Sequence, residues 1–214
     1  MKQKISNNFD RSLIPLKTHF TKYLIRANAL HEMGFKEWVF HPGMLFNSHE
    51  KWWDRPGERK TSHEGLDMCL FRDADNKISR LKINTKVPVM FDGVVTKILD
   101  DFMGKTIIIE HTFSNNKKSR LCTLYAHVMP HPDIHPGAIV SKGDIIAAIA
   151  DTAGSRCGIL PHLHISVLAI SEDISYEELN WENIGTARGI VLMDPLEFID
   201  WQYAVMKVVL SEYL

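Results

Sequence analysis

The residues with most chemical potential in this chain lie in the stretch Pro161-His162-Leu163-His164-Ile165-Ser166. It follows a glycine-bearing loop, residues 152–158, and runs into the apolar segment Ile165-Ser166-Val167-Leu168-Ala169-Ile170. The pattern predicts a strand beginning at or just after Pro161, because proline is tolerated at a strand's first residue. Successive strand side chains alternate faces, so His162 and His164 point one way and Leu163 the other. At a rise of about 3.3 Å per residue, the two rings start roughly 7 Å apart. One imidazole can then bind a metal while the other faces the metal's open position, or both can tilt onto the same ion. Taken alone, the pair also fits two polar residues on a solvated strand face.

A second stretch, Thr61-Ser62-His63-Glu64-Gly65-Leu66-Asp67-Met68-Cys69-Leu70-Phe71, places a histidine and an aspartate four residues apart. That spacing shares a helix face, yet Gly65 weakens a helix and the run after Asp67 reads as a buried strand. In a straight strand His63 and Asp67 would lie about 13 Å apart, too far for one ion about 2 Å from each ligand. They share a metal only if the chain folds back near Gly65, which glycine permits. A third stretch, Thr123-Leu124-Tyr125-Ala126-His127, ends a predicted strand, and period 2 puts Thr123, Tyr125 and His127 on one face. A single histidine at a strand end is ordinarily structural, so His127 draws its interest from the other two stretches. His131 and His135, in the loop from Met129 to Pro136, read as surface residues.

Composition narrows the classes of function. The chain has 214 residues, 45% hydrophobic and 24% charged, with a formal net charge of −1. These are ordinary globular values, enough for one well-buried core. Without a basic excess, neither nucleic acid nor an anionic membrane is expected as the main partner. Cys69, Cys122 and Cys157 are three in number with no CxxC spacing, so thiols are expected rather than a disulfide framework. The eleven histidines are the compositional feature that matters most. The N-terminal residues lack the apolar core of a secretory signal, and no run approaches the ~20 apolar residues of a membrane span. The compartment stays open: cytoplasmic, or exported with the leader absent from this sequence.

Several elements must position these residues. Apolar spacing predicts a helix over 17–33 that stops at Gly34, followed by a wrapping loop over 35–59 rich in Trp, Pro, Gly and His. Short apolar segments at 78–83, 87–91, 94–99, 106–110 and 121–128 read as strands, with turns at Asp92-Gly93, Met103-Gly104 and 114–119. Residues 137–146 read as strand, tight turn, strand. A polar insertion spans Ser171 to Thr186, with at most one helical turn. Asp194 and Pro195 suit the cap and first position of a final helix over 195–214. The domain plan is therefore an N-terminal helix and loop over 1–59, a main domain over 60–200, and the C-terminal helix packed on it. Many short strands with close turns predict a mainly β fold, an antiparallel sandwich or flattened barrel.

The order and spacing of His63-Glu64-Gly65-Leu66-Asp67, Leu124-Tyr125-Ala126-His127, Val140-Ser141-Lys142-Gly143-Asp144, Pro161-His162-Leu163-His164 and Asp194-Pro195-Leu196 resemble the M23 zinc metallopeptidases, the lysostaphin and LytM type. The resemblance covers roughly residues 60–200 and implies the duplicated hybrid motif of that family. It further implies a Zn²⁺ ion held by His63, Asp67 and His164, with His127 and His162 flanking the open coordination position. The implied activity is hydrolysis of peptide bonds in bacterial peptidoglycan, in the stem or the cross-bridge. Three N and O ligands plus a water suit a catalytic zinc site, whereas spacing alone also permits His162 as a fourth ligand. One of His127 and His162 would take the water's proton and the other would bind the developing oxyanion. Departures from the family pattern are Ala147 and Ala150 where glycine is common, Ser166 where an acid is common, and the insertion over 171–191. In some relatives a preceding segment covers the zinc, a role Asn47 or His49 would fill here. A non-catalytic M23-like binding module is the alternative, although such proteins usually lack several ligand positions that this chain keeps. A biotinyl- or lipoyl-type carrier barrel fits worse, because Lys142 lacks the residues that flank a modified lysine.

Overall fold

Aliphatic and aromatic segments punctuated by turn formers favour short strands, and the computed structural model, which describes residues 17–55, 57–111, 119–152 and 158–206, is built mainly of them. Helix α1 spans Phe20–Ala27. The strands are β1 (Glu37–Phe40), β2 (Leu66–Met68), β3 (Leu70–Arg72), β4 (Ile78–Arg80), β5 (Lys86–Pro88), β6 (Gly93–Asp101) and β7 (Gly104–His111). They continue with β8 (Ser119–Pro130), β9 (Ile139–Val140), β10 (Ile145–Ile149), β11 (Leu163–Ser171), β12 (Ile190–Met193) and β13 (Tyr203–Val205). A nine-stranded antiparallel sheet runs β12-β11-β8-β7-β6-β9, with β10 joined to β5 and β8, and β2 joined to β11. A four-stranded sheet has the order β13-β1-β3-β4. The mainly β, antiparallel architecture expected from the sequence is present, with both sheets left open. Among the described residues no helix is long and apolar enough to cross a membrane.

The register between β8 and β11 sets what each face buries. Tyr125 opposes Ile165 and Thr123 opposes Val167; Tyr125, Ile165 and Val167 join the main core with Phe40, Phe71 and Val87. On the opposite face Leu124 opposes Ser166 and Cys122 opposes Leu168. There Ile108, Cys122, Leu124, Leu168 and Ile170 form a second cluster, closed by Leu179 and Ile184 of the 171–191 insertion. β11 is buried at every position but the last because both of its faces are covered. Tyr125 also accepts the Met90 backbone N–H at 2.7 Å, so the buried phenol satisfies a buried donor.

Several elements match the sequence reading and others correct it. The helix expected over 17–33 is shorter: α1 ends at Ala27, Ala29 turns to φ 51°, and a separate 3-10 turn follows at Leu30–Met33, which Gly34, at φ 66°, ends as expected. The 171–191 insertion holds a single 3-10 turn, Tyr176–Glu178. His131 and His135 are exposed. The wrapping loop, however, contains β1, which pairs with β3 and β13. The final helix does not form over 195–206. Asp194 does cap, its Oδ1 accepting the Leu196 N–H at 2.9 Å, but Pro195–Glu197 is only a 3-10 turn. The chain then becomes β13, parallel to β1. The open edge of β1 supplies the reason: Trp38 N–H donates to the Gln202 carbonyl at 3.0 Å and Met206 N–H to the Phe40 carbonyl at 2.7 Å. Backbone groups on that edge need partners, and Tyr203 and Val205 favour extended backbone. The remainder of the expected helix, 207–214, and most of the expected turn at 114–119 and loop at 152–158 lie outside the described residues.

A buried histidine away from the site generates a prediction about pH. His111 is 2% exposed; its Nδ1–H donates to the Asp92 carbonyl at 3.0 Å and its Nε2 lies 2.8 Å from the Thr123 hydroxyl. Burial pushes its pKa down to about 4, against the raising influence of Asp92. An unfolded histidine titrates near 6.5, so between pH 6.5 and about 4 the unfolded chain binds a proton that the folded chain excludes. The contribution is complete above pH 6.5 and is lost as the pH falls through that window, by on the order of 3 kcal/mol for this ring. Urea unfolding between pH 7.5 and 4 should show the loss, and His111→Gln should make it shallower.

Candidate metal centre

β2 and β11 bring the first two donors together. Their antiparallel register places Asp67 opposite His164, so both side chains leave the same face of the sheet. His164 Nδ1 lies 2.8 Å from Asp67 Oδ1. His63 enters from the bend before β2, its Nε2 3.1 Å from Asp67 Oδ1 and 3.1 Å from His164 Nδ1. The chain does fold back near Gly65, but the glycine matters for a different reason from the expected one. A Cβ there would collide with the Ile165 carbonyl oxygen and lie 2.7 Å from His164 Nε2 and 2.8 Å from Ser166 Oγ. Close approach to β11, rather than unusual φ, requires glycine.

The donor set fits a divalent metal. His63, Asp67 and His164 each offer one ligand atom, all within 4.8 Å of one another, and all three residues are buried. Two imidazole nitrogens and one carboxylate oxygen are the donors of a zinc-type catalytic site. Each group is also fixed from behind, as ligands require. His63 Nδ1–H donates to the Leu45 carbonyl at 3.0 Å, leaving the Nε2 lone pair inward. His164 Nε2 bonds Ser166 Oγ at 2.9 Å, leaving Nδ1 inward. Asp67 Oδ2 accepts the Trp52 indole N–H at 2.6 Å, with Arg59 Nη2 at 3.5 Å. Burial pushes the Asp67 carboxyl up, but the surrounding imidazoles outweigh it and hold the group well below the usual carboxylate range. Burial pushes the His164 pKa down to about 4. The carboxylate is thus anionic and that ring neutral at neutral pH, the states in which they can ligate.

His127 and His162 border the same group. Their ring centroids are 4.7 Å apart, and His127 lies 5.8 Å from His164. His162 Nδ1–H donates to the Leu160 carbonyl at 2.8 Å. Its Nε2 faces the donors, 3.7 Å from Asp67 Oδ1, and burial pushes its pKa down to about 3. All five residues line one cavity of about 250 Å³ together with Arg59, Trp53 and Trp181. The structure therefore brings together the three proposed ligands, His63, Asp67 and His164, and the two flanking histidines, His127 and His162.

One part of the geometry departs from the strand period. Tyr125 points into the core, whereas His127 turns onto the cavity beside His164, so the two do not share a face. Lys105 pairs with Val128 and Ile107 with Tyr125, leaving Ala126 and His127 opposite Thr106 alone. This bulge, with His127 at φ 60°, resets the alternation. Asn47 and His49 do not line the cavity. Their loop instead holds His63 through backbone bonds, Asn47 N–H to the His63 carbonyl and His63 N–H to the Ser48 carbonyl, both 2.9 Å. Several residues around the site were not singled out in the sequence: Trp52 and Arg59 on Asp67, Trp181 stacked edge-on to His164 at 5.4 Å, and Asp101 on His127. Trp52 and Trp181 lie in segments of no period, and Asp101 is the last residue of β6, so only their tertiary contacts mark them.

Comparison with known proteins adds a family. Residues 77–175 match the family model described as peptidase family M23. The matched segment contains His127, His162 and His164 and begins after His63 and Asp67. Among solved structures, lysostaphin from Staphylococcus simulans aligns at 18% identity and TM-score 0.41, covering 76% of this chain and 53% of that one. A solution structure of lysostaphin aligns at 21% and 0.38, covering 67% and 51%. A point mutant of the catalytic domain of the prophage-encoded M23 protein EnpA from Enterococcus faecalis aligns at 19% and 0.36, covering 62% and 85%. The chain thus spans about half the length of the lysostaphin structures. No curated protein matches it.

The Gly65 contact can be tested directly. Gly65→Ala should separate β2 from β11, lowering stability by more than the ~1 kcal/mol typical of a glycine substitution and weakening the hold on any divalent metal bound there. Denaturant unfolding and metal analysis after dialysis would measure both.

Proposed function

Since the chain is a relative of peptidase family M23 through residues 77–175, we propose that it is a zinc-dependent endopeptidase that hydrolyses peptide bonds of bacterial peptidoglycan. The observation that supports this most is the convergence of three buried donors and two further imidazoles on one cavity. In this reading His63 Nε2, Asp67 Oδ1 and His164 Nδ1 hold the ion. The chemistry it supplies when bound is Lewis acidity toward the scissile carbonyl and a lowered pKa for the attacking water.

The chain's own residues supply the proton handling. His127 has its Nδ1–H committed to Asp101, so Nε2 presents a lone pair to the cavity and can take the water's proton. The Asp101 carboxylate then stabilises the imidazolium, which can pass the proton to the leaving amine. His162 has its proton committed to Leu160 and is kept neutral by burial. It therefore offers a lone pair rather than an N–H, which suits orienting the water more than binding an oxyanion. Trp53 and Trp181 give the cavity apolar walls that exclude bulk water from the reacting bond.

Digestion of purified peptidoglycan followed by mass spectrometry of released peptides tests the reading. One zinc per chain and cutting abolished by chelator are expected. His164→Ala should lose the metal, while His127→Ala should keep it and lose about 10²–10⁴-fold in turnover. A binding module would keep zinc and bind cell walls with no released peptide. Equal turnover in His127→Ala and the parent would remove His127 from the chemistry.

A further inference from the structure

We propose that Asp101 is the positioning residue for His127, fixing both where the ring lies and which ring nitrogen carries the proton. The proposal rests on the catalytic reading of His127 above. It starts from the backbone. A non-glycine residue at φ 60° occupies the strained left-handed region, and persists there only where its surroundings impose it. Without that turn the side chain at 127 would follow Tyr125 toward the core. With it, the ring faces the cavity, but the bulge leaves the His127 peptide N–H outside the regular ladder and in need of an acceptor.

One carboxylate meets both needs. Asp101 Oδ2 accepts the His127 backbone N–H at 3.0 Å, and His127 Nδ1 lies 3.0 Å from Oδ2 and 3.1 Å from Oδ1. A carboxylate only accepts, so Nδ1 carries the proton and Nε2 keeps its lone pair toward the metal donors. The carboxylate is itself held: Oδ1 accepts the Met103 N–H at 2.8 Å and Oδ2 the Thr106 hydroxyl at 3.1 Å. Its side chain is 0% exposed, so water does not compete for these bonds. Both oxygens thus have fixed donors, and the hairpin turn between β6 and β7 becomes a rigid mount for the ring. Phe102 of the same turn packs edge-on against His127 at 5.3 Å, limiting rotation from the solvent side.

The arrangement predicts a consequence that mere structural support would not. Asp101→Asn keeps the size of the side chain but can present an N–H to the ring, which then favours the other tautomer. Nitrogen–proton NMR of the purified protein near pH 7.5, with His127 assigned by its loss in His127→Gln, reads the tautomer directly. The parent ring should be protonated at Nδ1, and Asp101→Asn should move population to Nε2–H. Where the parent cuts peptidoglycan peptides, the variant should lose about 10²–10⁴-fold in kcat with KM changed less than about threefold and bound zinc unchanged. The proposal is overturned by a parent ring protonated at Nε2, by a variant that keeps the parent's tautomer, or by an unchanged kcat beside an active parent. If Asp101→Asn does not fold, the parent's tautomer decides alone. An inactive parent would count against the peptidase reading, while the tautomer measurement would still decide the role of Asp101.

Discussion

A short antiparallel pairing, β2 on β11 in the register that sets Asp67 against His164, is the constraint on which the site depends. It puts an anionic oxygen into the interior, where an unpaired carboxylate costs several kcal/mol. The compensating contacts come from two parts of the chain, the segment before β2 and β11 itself. The Trp52 indole and the Arg59 guanidinium reach Asp67 Oδ2 from the segment before β2, and His63 and His164 share Oδ1. Arg59 also donates to the Gly43 carbonyl at 2.7 Å. The same carboxylate that suits a metal thus ties the N-terminal loop to the main sheet. Removing it would loosen both.

The second constraint is that each imidazole around the cavity has one nitrogen already spent. Leu45 and Leu160 carbonyls take the Nδ1 protons of His63 and His162, Ser166 engages His164, and Asp101 engages His127. Lone pairs therefore converge on a common point without any rearrangement, and the rotamers are fixed before a ligand arrives. Two of the anchors are main-chain carbonyls, which cannot titrate. The Asp101 anchor differs in carrying charge, so in the proposed mechanism it alone among them can stabilise a proton transferred to its histidine. That difference separates His127 from His162, which the spacing of the sequence left equivalent.

The HxH pair was legible in the sequence because side chains two apart in extended chain share a face, and His162, just before β11, and His164, within it, both line the cavity. The fold-back at Gly65 was legible as a requirement, although its cause is the approach of β11, a strand about a hundred residues later. The bulge at His127 was not legible, since it exists only in the register between β7 and β8, and a single strand does not reveal its partner's spacing. Asp101 was hidden for the same reason: its importance lies in a peptide N–H exposed by that bulge. The C-terminal segment shows the reverse failure. Leu196, Phe198 and Ile199 carry a helical apolar spacing, but the unpaired edge of β1 offers Gln202 and Met206 backbone partners that a helix would forgo. Edge satisfaction outweighed a weak local preference.

The insertion over 171–191 joins these two constraints. Its Leu179 and Ile184 seal the second apolar cluster on the outer face of β7, β8 and β11, and Tyr176 donates to Glu110 Oε2 at 2.6 Å. That anchoring sets the position of Trp181, whose ring meets His164 while its indole N–H donates to Thr106 Oγ1 at 3.1 Å. Thr106 in turn donates to Asp101, and Asp101 holds His127. A chain of three hydrogen bonds therefore runs from the insertion to the proposed base, and a ring contact runs from the same tryptophan to a proposed ligand. Because Thr106 is the residue that faces the bulge, the insertion braces the one place where β8 leaves regular geometry. Its apolar burial, spread over several side chains at about 1.5–3 kcal/mol each, is large enough to offset the strain of a single left-handed residue.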